Sequence, residues 1–184
     1  MTEETLSMEI AGMLSLNQIQ HEAQTVHKCL CFRINKEDLL KCIYLLRYRQ
    51  DLEFAILTDL FAADFPGQQE RFEVGYNLLS IKLNQRLVIK TQTAHSLDSI
   101  VKLHSSAGWY EREVFDLFGV TFDNHPDLRR ILTDYNFQGH PLRKDFPLSG
   151  YVQVKYDQEQ GKVVYEPVAL DQEYRDFDYI SPWK

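Results

Sequence analysis

Three side chains that could act in catalysis lie in the second half of the chain: Glu111, His125 and Asp145. A carboxyl group and an imidazole act as general acid and general base when they share a pocket with a substrate. One hypothesis is therefore a hydrolase, which requires these three side chains to converge. The sequence contains no Gly-x-Ser-x-Gly motif and no glycine-rich phosphate-binding loop. We therefore predict no catalytic residue and no cofactor-binding residue in this chain.

Histidines and acidic residues in the same region are candidate metal ligands. His125 and His140 could join Asp145 or Glu113, but their spacings match no known ligand frame, and each of the two histidines directly precedes a proline. Zinc and iron–sulfur sites usually take four ligands from Cys and His. We therefore predict no metal site.

The three cysteines are Cys29, Cys31 and Cys42. An odd number suits a reducing compartment better than a disulfide framework. Alternation along a predicted strand places His27, Cys29 and Cys31 on one face. We interpret the cysteines as small apolar residues rather than as metal ligands.

A helix is predicted over residues 109–118, and it contains most of the charged side chains whose positions bear on function. Gly119 is suited to end this helix. At 100° per residue, Glu111 falls within the apolar arc of this helix, whereas Arg112 and Asp116 share the opposite face at i,i+4 spacing. The apolar residues of that arc are Val114, Phe115 and Phe118.

Burial of Glu111 requires a partner, because an unpaired carboxylate in the core is costly. Arg129 and Arg130 follow after a short connection, so we predict an ion pair between Glu111 and one of them. The alternative is a general acid or base with a raised pKa. The other charged residues of the helix would then face solvent or a partner protein.

The composition is that of a chain able to fold around a core. Of its 184 residues, 44% are hydrophobic and 26% are charged, and the formal net charge is −7. Because nucleic-acid binding depends on neutralising phosphates, this acidic balance argues against a nucleic-acid partner. No apolar run approaches the ~20 residues of a membrane helix. No Lys or Arg precedes Lys28, so we expect neither a secretory signal nor a mitochondrial presequence.

Hydrophobic periodicity predicts the elements that position these side chains. Residues 1–25 are predicted to form an N-terminal helix and lead-in. Residues 26–122 are predicted to form a two-layer α+β domain with the order α-β-α-β-β-β-α. The predicted strands are 26–34, 54–58, 72–78 and 87–89. The predicted helices begin near Glu3, after Asn35, at Ser96 and at Trp109.

Residues 123–184 differ in character, since they hold five of the six prolines. Pro126 could begin one helical turn over residues 127–132. From His140 onward the pattern predicts extended segments in which aromatic residues alternate with acids. Such a segment cannot bury much of itself, so we predict that it wraps around a partner protein, with free disorder as the alternative.

Ten residues reproduce a known signature: Glu-Arg-Glu-x-x-Asp-Leu-Phe, six residues, His, three residues, Arg-x-Ile-Leu. They are Glu111, Arg112, Glu113, Asp116, Leu117, Phe118, His125, Arg129, Ile131 and Leu132. In this pattern the chain resembles the 30 kDa-type subunit of respiratory complex I, the proton-translocating NADH:quinone oxidoreductase. Further similar strings lie at 59–64, 139–150, 165–168 and 181–183, so the resemblance covers residues 26–184.

The resemblance implies a structural subunit of the hydrophilic arm that holds no cofactor, with FMN and the iron–sulfur clusters in partner subunits. It implies that the C-terminal extension packs on the 49 kDa quinone-site subunit, near the subunit that carries the terminal iron–sulfur cluster. Electron transfer from NADH to ubiquinone and proton translocation would belong to the whole complex. The residues expected at partner interfaces are His140, Pro141, Arg143, Lys144, Asp145, Tyr165, Pro167 and Trp183.

Other readings stay open besides the hydrolase. The chain could be the equivalent subunit of a ferredoxin–plastoquinone complex or of a membrane-bound hydrogenase, or it could be a free adaptor domain.

The expected location is the matrix side of the mitochondrial inner membrane. The alternative location is the cytoplasmic face of a bacterial plasma membrane.

Overall fold

The computed structural model describes residues 3–26, 29–170 and 172 of the chain. These residues form three α-helices and nine strands. The chain divides into two compact units, Met1–Phe146 and Pro147–Lys184. The domain bounds expected from the sequence, 1–25, 26–122 and 123–184, stay a prediction. Within the described residues, no helix is long and apolar enough to cross a membrane.

A five-stranded sheet forms the centre of the first unit. Its strands are β1 (His21–Val26), β2 (Cys29–Ile34), β3 (Ile56–Asp64), β4 (Phe72–Ser80) and β5 (Gln85–Thr93). The helices are α1 (Glu3–Leu16), α2 (Leu39–Tyr48) and α3 (Ala107–Phe118). The sheet order is β1-β2-β5-β4-β3, in which β2 and β5 are parallel and all other neighbours are antiparallel.

Alternation along the strands builds the core. Phe32 of β2 and Tyr76 of β4 both lie opposite Ile89 of β5, and all three side chains are fully buried. The helices pack their apolar residues into the same cluster. Those of α1 and α2 include Leu6, Ile10, Leu14, Leu39, Ile43 and Leu46. The predicted combination of helices and strands in an α+β domain is therefore confirmed.

Three predicted elements of the first unit are wrong in extent or type. The predicted strand 54–58 is β3 (Ile56–Asp64), which begins later and continues well beyond residue 58. The predicted strand 26–34 is β2 over Cys29–Ile34, whereas Val26 is the last residue of the antiparallel neighbour β1 and pairs with Cys29. The predicted helix beginning at Ser96 is a strand, β6 (Ser96–Asp98), which pairs in parallel with β7 (Thr121–Asp123). Apolar spacing over so short a stretch is ambiguous, and pairing with β7 decides the outcome.

The helical turn predicted over residues 127–132 is also absent from the structure. The backbone N–H groups of Ile131, Leu132 and Thr133 donate hydrogen bonds to the Asp116 carboxylate. This side chain therefore determines the path of the loop in place of local helical bonding.

The second unit contains an antiparallel hairpin of β8 (Val152–Asp157) and β9 (Lys162–Pro167), where the sequence predicts extended structure without periodicity. The pairing register places only apolar side chains on one face. This apolar face of the hairpin consists of Val152, Val154, Tyr156, Val163, Tyr165 and Pro167, all of them exposed. The opposite face is mostly polar, and there Gln153 donates a hydrogen bond to Glu166 at 2.7 Å.

Candidate functional site

Glu111 lies on the core side of α3, and it has no solvent exposure. Its carboxyl group accepts hydrogen bonds from the Ser99 hydroxyl at 2.6 Å and from the Ile100 backbone N–H at 2.8 Å. Burial raises the pKa of Glu111 to about 7, although both hydrogen bonds favour the ionised form. Glu111 is thus buried, as its position in the apolar arc predicts.

His125 lies beside Glu111 and is nearly as buried. Its Nε2 atom is 3.8 Å from the Glu111 carboxylate and 3.1 Å from the Gly108 carbonyl oxygen. Its Nδ1 atom accepts a hydrogen bond from the Asp127 backbone N–H at 3.0 Å. With Nδ1 accepting, Nε2 is the ring atom that donates to the Gly108 carbonyl oxygen. His125 therefore ties the segment after β7 to the first turn of α3.

The predicted ion pair between Glu111 and Arg129 or Arg130 is wrong. Arg130 binds Asp116 at 2.8 Å, and Arg129 pairs with Asp127 at 3.0 Å in an exposed position. Glu111 is satisfied instead by the residues that follow β6. A carboxyl group whose pKa is raised carries only part of a charge near neutral pH, so its burial requires no cation.

Asp116 is the second buried carboxylate of α3, and it holds the loop that follows β7. Its Oδ2 atom accepts hydrogen bonds from the backbone N–H groups of Ile131, Leu132 and Thr133 at 2.8–3.0 Å. Its Oδ1 atom accepts from the Arg130 guanidinium at 2.8 Å and from the Thr133 hydroxyl at 2.6 Å. Burial alone would raise the pKa of Asp116, but these hydrogen bonds outweigh burial and hold it well below its usual range.

Arg112 and Asp116, which helical spacing places on one face turned to solvent or to a partner protein, do not pair with each other in the structure. Arg112 donates hydrogen bonds to the carbonyl oxygens of Arg129 and Arg130 at 3.0 and 3.2 Å. Its guanidinium carbon also lies 5.2 Å from the centre of the Trp109 ring. The loop folds back over this side of α3, which is a long-range contact that i,i+4 spacing does not encode.

The C-terminal end of α3 is also closed by a distant segment. Gly119 follows the helix in the left-handed conformation, with φ of 76°, as its place in the sequence predicts. The carbonyl oxygens at the end of the helix accept hydrogen bonds at 2.5–3.0 Å from later residues. The acceptors belong to Asp116, Leu117 and Phe118, and the donors belong to His140, Leu142 and Arg143.

Asp145 belongs to a different cluster, centred on Arg71. The Arg71 guanidinium binds the buried Asp64 at 2.6 and 2.7 Å and binds Asp145 at 2.8 and 3.0 Å. Its hydrogen bonds hold the pKa of both carboxyl groups below their usual range. Because Arg71 holds Asp145, the convergence that the hydrolase hypothesis requires is not found.

The residues predicted at partner interfaces have different surroundings in the structure. Those bonded within the first unit are His140, Arg143, Lys144 and Asp145. Those exposed on the hairpin are Tyr165 and Pro167. Pro141 is half-buried, and Trp183 lies outside the described residues. Among the other signature residues, Glu113 and Leu132 are exposed, and Leu117, Phe118 and Ile131 are half-buried.

Metal binding has no candidate cluster in the part of the chain that the structure describes, where no three His, Cys, Asp or Glu side chains gather. Cys29, Cys31 and Cys42 are free thiols, and burial raises the pKa of Cys42 to about 12. For the whole chain, the absence of a metal site stays a prediction.

The sequence does not predict the side-chain partners of two buried carboxyl groups, those of Glu111 and Asp64. Ser99 binds Glu111 from a segment whose apolar spacing indicates a helix. Arg71, just before β4, binds Asp64 at the end of β3. The alternation of apolar residues predicts only the first part of β3 and therefore does not place Asp64 in a strand. The one usable signal for this second contact is the string 59–64, which belongs to the family resemblance and ends on Asp64.

Comparison with known sequences supports the resemblance. The family model described as "Respiratory-chain NADH dehydrogenase, 30 Kd subunit" matches residues 32–152. An NADH-quinone oxidoreductase subunit of Rickettsia bellii is 51% identical over 181 residues, covering 97% of this chain and 92% of the relative. NADH-ubiquinone oxidoreductase subunit 9 of Reclinomonas americana is 50% identical over 157 residues, covering 84% of this chain and 77% of the relative.

Two solved structures share the fold. A trypsin-resistant fragment of Nqo5 matches with a TM-score of 0.55 and 25% identity, covering 66% of this chain and 98% of the fragment. A chain of the membrane-bound sulfane sulfur reductase, an archaeal respiratory membrane complex, matches with a TM-score of 0.65 and 23% identity, covering 77% of this chain and 85% of the other. The resemblance predicted from the signature residues is confirmed, and the chain belongs to the family of the 30 kDa subunit of the respiratory-chain NADH dehydrogenase.

Proposed function

We propose that this chain is a non-catalytic structural and assembly subunit in the peripheral arm of a proton-pumping NADH:ubiquinone oxidoreductase. It packs on the 49 kDa quinone-site subunit, near the subunit with the terminal iron–sulfur cluster. FMN and the iron–sulfur clusters belong to partner subunits. The complex lies in the mitochondrial inner membrane with this chain on the matrix side, or in a bacterial plasma membrane with this chain on the cytoplasmic face.

The apolar face of the hairpin is the observation that carries this proposal. Val154 and Tyr165 lie opposite each other on this face, and they are 54% and 59% exposed. An isolated two-stranded hairpin is only marginally stable in water unless it packs against something else. A continuous exposed apolar face of this kind is typical of protein–protein contact surfaces, and this supports the proposal.

The surroundings of Glu111 support a structural role for the signature helix. A substrate cannot reach a carboxyl group that has no solvent exposure. Both carboxyl oxygens are already used in hydrogen bonds to Ser99 and Ile100. Glu111 therefore fixes α3 against the turn after β6.

Substitutions on the two faces of the hairpin test the proposal. Val154→Gln with Val163→Gln should lower the amount of assembled complex at least about tenfold, because polar side chains on the apolar face remove its contact with the partner. Lys155→Gln with Lys162→Gln introduces the same residue on the opposite face of the same strands and should leave assembly unchanged. The measurement is the amount of full-size complex on native gels.

Activity per assembled complex separates assembly from chemistry. Under the proposal, quinone reductase activity normalised to assembled complex equals that of the wild type in both hairpin variants. A hairpin variant that assembles fully but turns over about tenfold more slowly would contradict a structural role.

A further inference from the structure

The imidazole ring of His125 has one hydrogen and two acceptors within reach. Its Nε2 atom lies 3.1 Å from the Gly108 carbonyl oxygen and 3.8 Å from the Glu111 carboxylate. The first distance is that of a hydrogen bond, and the second is too long for one. The side chains of His125 and Glu111 are 2% and 0% exposed, so water does not compete for either group. The structure therefore shows the ring bound to Gly108, with Glu111 as the second acceptor.

The other nitrogen of the ring fixes which atom donates. Nδ1 of His125 accepts a hydrogen bond from the Asp127 backbone N–H at 3.0 Å. A ring nitrogen that accepts a hydrogen bond carries no hydrogen, so the hydrogen is on Nε2. The bond to Asp127 also joins the ring to the backbone that follows β7. A movement of the ring therefore moves this segment.

The charge of Glu111 decides which of the two acceptors is the stronger. A protonated carboxyl group and a peptide carbonyl are both neutral acceptors, and the Gly108 oxygen is the closer of the two. An ionised carboxylate forms a hydrogen bond roughly twice as strong as a neutral one, at about 2.8 Å. Its Oε2 atom already accepts from the Ser99 hydroxyl, but a carboxylate oxygen has two lone pairs and can accept twice. Ionisation therefore draws the ring hydrogen from Gly108 to Glu111.

The groups that surround Glu111 leave this choice to its own proton. Burial raises the pKa of Glu111 to about 7, and the hydrogen bonds from Ser99 and Ile100 act in the opposite direction. Tyr76 of β4 stays protonated, because burial and then the charges of Glu111 and of Asp98 in β6 raise its pKa well above the usual value. In the described part of the chain, no Lys or Arg pairs with Glu111. The carboxyl group can therefore change its charge near neutral pH.

We propose that Glu111 and His125 form a pH-sensitive switch, in which the ring donates to Gly108 while Glu111 is protonated and donates to Glu111 once it is ionised. The step is an acid dissociation: the proton leaves Glu111 for solvent, and no other covalent bond changes. The hydrogen of the ring stays on Nε2 in both states. Through the bond to Asp127, the exchange shifts the segment that follows β7. The switch is a property of this chain alone and does not depend on the proposed function.

Nuclear magnetic resonance of the full-length chain at a series of pH values tests the switch. The Nε2–H proton of His125 should move downfield as the pH rises, with a midpoint near pH 7, because its hydrogen bond becomes shorter and charge-assisted. The resonances of the Asp127 amide and the Gly108 carbonyl should shift with the same midpoint. Glu111→Gln should abolish all three shifts, since an amide does not ionise. Glu113→Gln is the matched control, exposed on the same helix, and should titrate like the wild type.

Ser99→Ala gives a second test that keeps both members of the switch. It removes a hydrogen bond that favours the ionised form of Glu111, so the midpoint should move to higher pH. A merely structural role for Ser99 would lower the stability of the chain without moving this midpoint. The variant also decides the matter if Glu111→Gln does not fold.

Four results overturn the proposal. The first is a wild-type chain in which the three resonances do not titrate between about pH 5 and 9. The second is a Glu111→Gln chain that retains the titration. The third is a ring whose ¹⁵N shifts show a hydrogen on both nitrogens at the transition, because such a ring cannot accept from Asp127. The fourth is an unchanged midpoint in Ser99→Ala.

Discussion

Glu111 and Asp116 are buried on the same helix, yet their pKa values shift in opposite directions. Glu111 has two hydrogen-bond donors and no cation, so burial dominates. Asp116 has five donor contacts that include the Arg130 guanidinium, so the ionised form is favoured. Glu111 also lies deeper in the protein than Asp116, so the stronger desolvation and the smaller number of donors both raise its pKa relative to that of Asp116.

Glu111→Gln should remove one component of the pH dependence of stability. The amide can accept from the Ile100 N–H and donate to the Ser99 oxygen, so the fold is kept. The native pKa is about 7 against an ordinary value of 4.5, so the unfolded chain loses this proton at a lower pH than the native chain does. Relative to the variant, the wild-type free energy of unfolding should fall by roughly 3 kcal/mol between about pH 4.5 and 7 and stay level above that range.

Urea unfolding at a series of pH values measures this difference, and parallel pH profiles for the two proteins would contradict it. In the assembled complex, Glu111→Gln should also keep normal quinone reductase activity per complex. Glu111→Ala should instead lower the amount of complex, because it leaves the Ser99 hydroxyl and the Ile100 N–H without their acceptor.

Asp116→Asn should destabilise the chain strongly. Either orientation of the amide places its NH₂ group against N–H or O–H groups that now donate to Asp116. Arg130 also loses its negatively charged partner. Breaking one side of a buried pair typically costs about 3–5 kcal/mol. Asp127→Asn is the matched control, because its pair with Arg129 is exposed, and it should change stability by less than about 0.5 kcal/mol. Equal unfolding midpoints in urea for the two variants would refute the role assigned to Asp116.

At the scale of elements, the secondary structure of long segments with regular hydrophobic periodicity can be predicted from the sequence, whereas that of short segments cannot. The apolar arc that includes Val114 predicts α3 and the burial of Glu111, since helical spacing over three turns is unambiguous. The strand Ser96–Asp98 is not predictable, because its pairing partner lies beyond α3. The loop over 127–132 is not predictable either, because the buried Asp116 decides its path from another element. Long-range hydrogen bonds thus account for what the pattern misses.

Gly119 connects the end of α3 to the segment that follows, so Gly119→Ala should cost more than backbone strain alone. With φ of 76°, strain accounts for about 1–2 kcal/mol. An added Cβ would also clash with the side chains of Arg143 and His140. In a double-mutant cycle, Gly119→Ala should therefore be less costly when Arg143→Ala is already present. Additive costs, measured by urea unfolding, would show that the clash with Arg143 is absent.

At the scale of the whole molecule, the rate at which the Cys42 thiol is alkylated measures how often the core opens. Cys42 belongs to α2 and packs into the core cluster with no solvent exposure, and burial raises the pKa of its thiol to about 12. Alkylation needs an exposed thiolate, so Cys42 should react only when the core opens. Cys29, which is half-buried at the start of β2, should react first. Mass spectrometry of timed iodoacetamide reactions checks this order, and early labelling of Cys42 would contradict it.

The parallel pairing of β2 with β5 also affects the order in which the strands pair while the chain is being synthesised. Leu30 cannot meet Leu87 until β5 has left the ribosome, whereas β3, β4 and β5 follow one another along the chain and pair as neighbours. Local pairings form before distant ones, because closing a long loop costs entropy first. The β3–β4–β5 meander should therefore gain hydrogen-exchange protection early in refolding, and β1 and β2 should join its edge last. Until they do, β5 presents an open edge to which a neighbouring nascent chain could attach.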